Sequence, residues 1–203
     1  MTENYSKTKE YTVSIFKIYT FSLFLLIPII ILFVLPYVLI WNNSLSNLIR
    51  LIFSKIKFNW DNVFAYLYLF RQIFLWSLVL LAGAVLHELL HAVFWVFYNR
   101  KGIRSIQFGF SKSDFSPYVH CTEPLPAWLY RLGSLMPGII LGIIPAIIAI
   151  FTGSIGFLVF GVFFTWAASG DFLIIWQTRK INRKTLLLDH PEKVGCIIVN
   201  REY

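Results

Sequence analysis

Residues 72–98, QIFLWSLVLLAGAVLHELLHAVFWVFY, decide how this chain folds. A helix needs about 20 apolar residues to cross the core of a bilayer. The segment supplies them before a basic pair at 100–101 ends the run, so it predicts a transmembrane helix. The second half of this helix carries His87, Glu88 and His91, three side chains that lipid does not favour.

The rest of the chain also has the composition of a membrane protein. Of its 203 residues, 58% are hydrophobic and 14% are charged, and the mean hydropathy is +0.69. We therefore expect an all-α membrane protein that forms a single membrane-embedded domain over residues 1–203. About four transmembrane helices are expected, at 18–41, 72–98, 132–151 and 155–177. Residues 178–203 are expected to form a polar, soluble tail.

Two connecting segments have patterns of their own. Apolar residues alternate at Ile106, Phe108 and Phe110, which predicts a small β-hairpin inserted between the second and third spans. Residues 42–72 mix apolar and charged side chains. This mixture predicts either amphipathic segments at the membrane interface or an extension of the second span.

The basic residues indicate orientation rather than a nucleic-acid partner. The formal net charge is +8, but the Lys and Arg residues stand between apolar blocks instead of on one basic face. Cytoplasmic loops are enriched in Lys and Arg. An arrangement with both termini and the hairpin in the cytoplasm places fourteen of the eighteen inside. We therefore expect a multi-pass protein of the cell membrane.

The two cysteines do not indicate a cysteine-based site. Cys121 and Cys196 lie 75 residues apart and show no CxxC spacing. This separation favours neither a disulfide framework nor a cysteine-rich zinc site. Both thiols are expected to stay reduced and to face the cytoplasm.

The spacing of His87, Glu88 and His91 predicts a metal site. On a helix the two histidines lie one turn apart on the same face, so both imidazoles can bind one Zn²⁺. In this motif the neighbouring glutamate is a general base. A lone buried histidine is more often a hydrogen-bonded core residue, but two at this spacing beside a glutamate favour the metal.

Asp171 is the expected third ligand, since a catalytic zinc usually has three protein ligands. Glu88 and Asp171 are the only acidic residues within the four expected spans. A charged group at that depth costs about 2.5 to 3.5 kcal/mol unless something compensates it. His91 lies nine residues before the basic end of its span, and Asp171 lies eight residues before the basic end of its own. At the rise of a helix, both are about 12 to 14 Å from those basic ends and can lie at the same depth.

Three other polar residues compete for a role. His120 and Glu123 lie in the connecting segment and are alternative ligands, because natural zinc spacings vary widely. His190 lies in Asp189-His190-Pro191-Glu192-Lys193, which is typical of a solvated turn.

With these motifs the chain resembles the putative zincin peptidases, a family of small bacterial membrane proteins similar in layout to the site-two proteases. The matching residues are His87–His91, the segment from Pro124 to Pro137, Ser169-Gly170-Asp171, and Asp189-His190-Pro191 to Gly195-Cys196. The resemblance implies a bacterial inner membrane and an active site that faces the cytoplasm. In site-two proteases the aspartate ligand belongs to an Asp-Gly motif after Asn-Pro, whereas here Gly170 precedes Asp171 and Phe172 follows it.

The expected activity is that of a zinc-dependent endopeptidase of the HExxH type. Glu88 is expected to take a proton from a zinc-activated water that attacks a peptide carbonyl. The expected partners are a membrane protein or peptide substrate and the lipid bilayer, with no nucleic acid. The alternative is a non-catalytic metal-binding membrane scaffold or a metal-transport component.

Overall fold

The protein is mostly helical and also contains two small antiparallel sheets. The computed structural model describes residues 5–41, 46–47, 63–97, 99, 101–111, 116–191 and 193–201. The helical expectation is confirmed over these residues. An all-α class is too narrow, because a four-stranded sheet accompanies the expected hairpin.

Three of the described helices are long and apolar enough to cross a membrane. They are α1 (Ile15–Trp41), α2 (Val63–Val96) and α3 (Ala127–Thr152). Two shorter helices follow, α4 (Ile155–Ala167) and α5 (Ser169–Thr178), and they are bent by 42° relative to each other. The expected span over 155–177 is therefore a broken pair, and the described helices provide three spans, or four if this pair crosses as one.

Helix α2 settles part of the ambiguous segment before the second span. It begins at Val63 and is 34 residues long, so residues 63–72 extend the second span. Of the other residues of this segment, 46–47 are helical, and 42–45 and 48–62 lie outside the described part of the chain. Most large apolar side chains of α2 between Tyr66 and Val85 are exposed, as a lipid-facing helix requires.

Local sequence signals set several helix ends. The Ser14 hydroxyl accepts a hydrogen bond from the Lys17 N–H (3.4 Å) at the start of α1, which is a typical N-cap. Gly153 adopts a left-handed φ of 69° after α3, a conformation that glycine adopts without steric cost. Ser154 then caps α4. This tight connection turns the chain back beside α3.

The hairpin predicted after the second span is present. Strands β2 (Ile106–Ser111) and β3 (Ser116–Cys121) pair antiparallel, with Ile106 opposite Cys121 and Phe108 opposite Val119. Residues 112–115, between the two strands, lie outside the described residues. The cytoplasmic position of the hairpin stays a prediction.

The four-stranded sheet joins the two ends of the chain. It comprises β1 (Tyr5–Thr12), β4 (Leu125–Pro126), β5 (Leu186–Asp189) and β6 (Gly195–Arg201). Their order in the sheet is β1-β6-β5-β4, with antiparallel pairing throughout. The expectation of a polar tail over 178–203 is wrong, because Leu187, Cys196 and Val199 in this region are buried.

The sheets pack against one end of the helices and form a shared core with them. This core cluster includes Trp95 from α2, Tyr130 from α3, Ile174 from α5, and Leu187 and Cys196 from the sheet. A second cluster joins α1, α3 and α4, and contains Ile29, Phe33, Tyr37, Ala146, Ala149 and Leu158. The polar residues described next lie beside the first of these clusters.

Candidate metal centre

His87, His91 and Asp171 meet between helices α2 and α5. Asp171 Oδ2 lies 3.1 Å from His87 Nε2, and Asp171 Oδ1 lies 3.4 Å from His91 Nε2. The two imidazole centroids are 5.0 Å apart. One carboxylate therefore contacts both histidines, as the depth argument from the sequence required.

The break between α4 and α5 determines where Asp171 lies in its helix. Because α5 begins anew at Ser169, Asp171 occupies the first turn instead of the middle of a continuous span. A negative charge in the first turn of a helix interacts favourably with the helix dipole. The bend thus places the carboxylate where the helix dipole stabilises its negative charge.

The hydrogen bonding of His91 fits a metal ligand. His91 Nδ1 lies 3.0 Å from the carbonyl oxygen of Gly133 in α3, and a carbonyl can only accept, so Nδ1 carries the proton. In the neutral ring, Nε2 then directs a lone pair toward the Asp171 carboxylate. The His91 Nε2 lone pair and the Asp171 oxygen are two acceptors 3.4 Å apart, so a further proton or a cation is needed between them. A bond like that from His91 Nδ1 to the Gly133 carbonyl commonly orients metal-binding histidines. The donor set therefore fits Zn²⁺.

Glu88 lies beside the two histidines and is held by strand β3. The candidate ligand atoms of His87, Glu88 and His91 all lie within 4.8 Å of one another. Glu88 Oε2 accepts a hydrogen bond from the Val119 N–H at 3.0 Å. The hairpin and helix α2 are thereby fixed to each other at the carboxylate.

A stack of aromatic rings connects His91 with the core. His91 stacks on Trp95 at 5.4 Å with an interplanar angle of 17°. Trp95 in turn stacks on Tyr130 at 5.7 Å and 9°. Gly133 provides the space for this arrangement, since a Cβ atom there would lie 2.2 Å from the indole nitrogen of Trp95.

These groups line a cavity of about 670 Å³. Helix α2 contributes His87, Glu88 and His91 to its wall, α5 contributes Asp171, and β3 contributes the residues from Pro117 to His120. The turn between β5 and β6 forms another part of the wall. A cavity of this size can enclose several residues of an extended peptide.

A second polar cluster on the same cavity is centred on Asp189. Its Oδ2 atom accepts from His120 Nδ1 (3.0 Å) and from the Cys121 N–H (3.4 Å), and its Oδ1 atom accepts from the Tyr130 hydroxyl (3.0 Å). No motif or spacing in the sequence indicates a role for Asp189 or Tyr130. Only the Asp189-His190-Pro191 match in the family resemblance pointed to this region.

The two thiols next to this cluster are buried and free. Burial raises the pKa of Cys121 to about 11 and that of Cys196 to about 12, and the negative charge of Asp189 adds to both shifts. Thiols that stay protonated in this way are poor nucleophiles and poor metal ligands.

The competing polar residues have other partners. Glu123 forms an ion pair with Lys101, and His120 lies against Asp189. Among the described residues neither has a hydrogen bond or ion pair with His87 or His91, whereas Asp171 contacts both. The interpretation of His190 as a solvated turn residue is wrong. Its side chain is only 7% exposed and lies 3.7 Å from Glu10 Oε2, because β1 covers this turn.

A histidine-glutamate-histidine group with an aspartate from a neighbouring helix is of the kind that could hold a metal ion, and several of the helices are long and apolar enough to span a membrane. The chain belongs to the family described as "Putative zincin peptidase", whose match covers residues 80–186, more than half of the sequence. Membership implies zinc and a peptidase activity. The matched region contains His87, Glu88, His91 and Asp171. Comparison with curated proteins and with solved structures gives no match.

Proposed function

We propose that this protein is a membrane-embedded zinc endopeptidase that hydrolyses peptide bonds of membrane proteins or membrane-associated peptides. The observation that carries the proposal is the contact of one carboxylate, Asp171, with both His87 and His91 at 3.1 and 3.4 Å. Glu88 lines the same cavity. Family membership favours the same reaction.

In this proposal His87, His91 and Asp171 hold the metal. Two imidazole nitrogens and one carboxylate oxygen are the ligand types of a catalytic zinc site, which keeps a further position open. Bound zinc would supply Lewis-acid chemistry, by which water becomes a nucleophile near neutral pH and a peptide carbonyl is polarised. The Gly133 carbonyl keeps the His91 ring in the tautomer that binding requires.

Glu88 is the proposed general base. Its Oε2 atom is held by the Val119 N–H, and no residue in the described part of the chain donates a hydrogen bond to Oε1. Oε1 can therefore accept a proton from the attacking water and then deliver it to the nitrogen of the leaving amine. The Val119 contact keeps the carboxylate in place during both transfers.

The outer edge of β3 is the proposed binding surface for the substrate backbone. In an antiparallel pair, alternate residues direct their N–H and C=O groups away from the neighbouring strand. The Val119 and Cys121 N–H groups point away from β2, because they donate to Glu88 and Asp189. The Val119 carbonyl therefore also faces the cavity, where an extended peptide can pair with it.

The active site is proposed to open toward the cytoplasm. The hairpin, the chain termini and most Lys and Arg residues then share one side of the membrane, in agreement with the positive-inside rule. A substrate helix would have to unwind locally before cleavage, because its carbonyls are engaged in helical hydrogen bonds.

The experiment compares purified, zinc-loaded wild type with Glu88→Gln and Asp171→Ala in detergent micelles, with fluorescein-labelled casein as substrate. Glu88→Gln should retain zinc and lose cleavage by about 10²- to 10⁴-fold, the usual contribution of a general base. Asp171→Ala should lower zinc content. Glu123→Gln is the matched control, since Glu123 pairs with Lys101 away from the ligands.

The non-catalytic alternative predicts a different result. A scaffold or transport component would bind zinc but would cleave casein no faster than Glu88→Gln does. Equal proteolysis by wild type and Glu88→Gln would therefore reject the endopeptidase proposal. Once activity is established, comparison of membrane proteomes from wild-type and Glu88→Gln cells would identify the natural substrates.

A further inference from the structure

Asp189 is surrounded by hydrogen-bond donors on the wall of the candidate active site. His120 Nδ1, the Cys121 N–H and the Tyr130 hydroxyl all point at its two oxygens, at 3.0 to 3.4 Å. The carboxylate is thus held in place from several sides by side chains of α3 and β3 and by the β3 backbone. The helices do not supply this aspartate; it is the last residue of strand β5.

The contact with Asp189 determines the tautomer of His120. An ionised carboxylate can only accept a hydrogen bond, so the proton of the neutral imidazole is on Nδ1. Nε2 then carries the lone pair. His120 lines the cavity, and its Nε2 atom has no hydrogen-bond partner within the described residues.

His120 directly follows the residue that holds the proposed general base. The preceding residue, Val119, donates its N–H to Glu88 Oε2 at 3.0 Å. Glu88 and His120 thus line one cavity from a helix and from a strand that are directly hydrogen-bonded to each other. Both groups therefore border the space in which a peptide would bind.

We propose that His120 is a second acid–base catalyst of this site and that Asp189 is its positioning residue. The inference rests on the proposed peptidase function. It assigns to His120 a catalytic task that differs from metal binding, and it gives the β-sheet a direct part in the chemistry.

The task follows from the proton balance of peptide hydrolysis. Water brings two protons, and Glu88 transfers the first to the departing nitrogen as the C–N bond breaks. The second proton is on the hydroxyl oxygen of the tetrahedral carbon. His120 Nε2 accepts it, so that the O–H electron pair remains on oxygen and the product leaves as a carboxylate. The imidazolium then releases this proton to the amine or to solvent.

Asp189 supports this step in two ways. Its hydrogen bond fixes the ring orientation, and its negative charge stabilises the imidazolium that forms. Tyr130 and the Cys121 N–H hold the carboxylate from the other sides. An asparagine at position 189 keeps the shape but offers an amide that can donate to Nδ1, which would favour a proton on Nε2 and block acceptance there.

The first measurement is independent of catalysis. In full-length protein with ¹⁵N-labelled histidine, NMR should show His120 with the proton on Nδ1, and Asp189→Asn should shift it to Nε2. Assignment comes from the signal lost in His120→Ala. A wild-type spectrum with the His120 proton on Nε2 would overturn the inference.

The second measurement is casein cleavage by the zinc-loaded protein. His120→Ala and Asp189→Asn should retain zinc and lower kcat by about 10²- to 10⁴-fold, with KM changed less than threefold. Added imidazole should restore part of the activity of His120→Ala, which a purely structural role would not allow. Glu123→Gln is again the control, because Glu123 pairs with Lys101 and does not line the cavity.

The outcomes separate the two proposals. Cleavage by His120→Ala within threefold of wild type, while Glu88→Gln is inactive, would overturn the role of His120 and leave the peptidase intact. Loss of zinc in His120→Ala would make it a ligand and also overturn this role. Wild type no more active than Glu88→Gln would reject the peptidase and the role of His120 with it.

Discussion

Replacing Gly133 with alanine should weaken zinc binding although Gly133 offers no side chain to the metal. A Cβ atom at this position would lie 2.2 Å from Trp95 Nε1 and 2.5 Å from Trp95 Cδ1. Ordinary contacts begin near 3.4 Å, so the indole or helix α3 has to move by about 1.2 Å, the difference between 3.4 and 2.2 Å.

The surroundings of Trp95 leave little room for that movement. The residue is 4% exposed, and its ring is stacked between His91 and Tyr130. Overpacking of a filled core costs about 1 to 3 kcal/mol. Displacement of α3 would also disturb the bond from His91 Nδ1 to the Gly133 carbonyl, and losing such support for a ligand weakens metal affinity by about 10- to 100-fold.

The assay is zinc affinity by competition with a chromophoric chelator, together with thermal unfolding in detergent. Gly156→Ala is the matched control, since its Cβ would meet Trp76 at an ordinary 3.6 Å. Both variants gain about 0.5 to 1 kcal/mol from replacing a helical glycine, so their difference isolates the clash. The reasoning is refuted if Gly133→Ala binds zinc within twofold of wild type and unfolds at the same temperature as Gly156→Ala.

Two further predictions concern the end of the bundle that packs against the sheets. In the folded protein the pKa values of Cys121 and Cys196 are raised to about 11 and about 12, because the fold favours the neutral thiols. This preference stabilises the fold, and its contribution is complete below the unfolded pKa of about 8.5. Above that pH this contribution should fall by about 1.4 kcal/mol per pH unit and thiol, until the pH passes the folded pKa. Between pH 8 and 11 the unfolding temperature should therefore decrease less for the double variant Cys121→Ala/Cys196→Ala than for wild type. In a urea titration, Arg131→Met should lower the free energy of unfolding by about 1.5 to 3 kcal/mol, because Arg131 donates to the Thr178 and Ile181 carbonyls at 2.7 and 3.3 Å. The control Lys184→Met changes an exposed position and should alter this free energy by less than about 0.5 kcal/mol.

The helices and the meeting of His91 with Asp171 could be predicted because each depends on a local signal. Long uninterrupted apolar runs identify membrane helices, and a fixed rise per residue converts sequence position into depth. The break at Ala168 is marked only by the following Ser169-Gly170; such pairs can kink a helix, but glycine is also frequent in unbroken transmembrane helices. Its effect is visible only in the structure, where Asp171 lies in the first turn of α5.

The four-stranded sheet could not be predicted, because its strands lack a local pattern. Strand β4 has two residues and β5 has four, which is too short for alternation to be recognised. Strand β1 contains several exposed polar residues, and it pairs with β6 at the opposite end of the sequence, Tyr5 opposite Arg201. Pairing over that separation depends on tertiary packing, and the same packing buries His190.

The helices and the sheets contribute different groups to the proposed site because their surroundings differ. A bilayer core offers no water to unpaired backbone groups, so an extended substrate and a strand edge need a polar cavity at the margin of the bundle. The helices place the proposed ligands where a low dielectric strengthens charge interactions, and α2 places Glu88 at the strand edge. The sheet brings Asp189 and His120 to the same cavity. The proposed proton transfers are therefore expected at this junction, where the proposed ligands meet the hydrogen-bonded groups of the sheet.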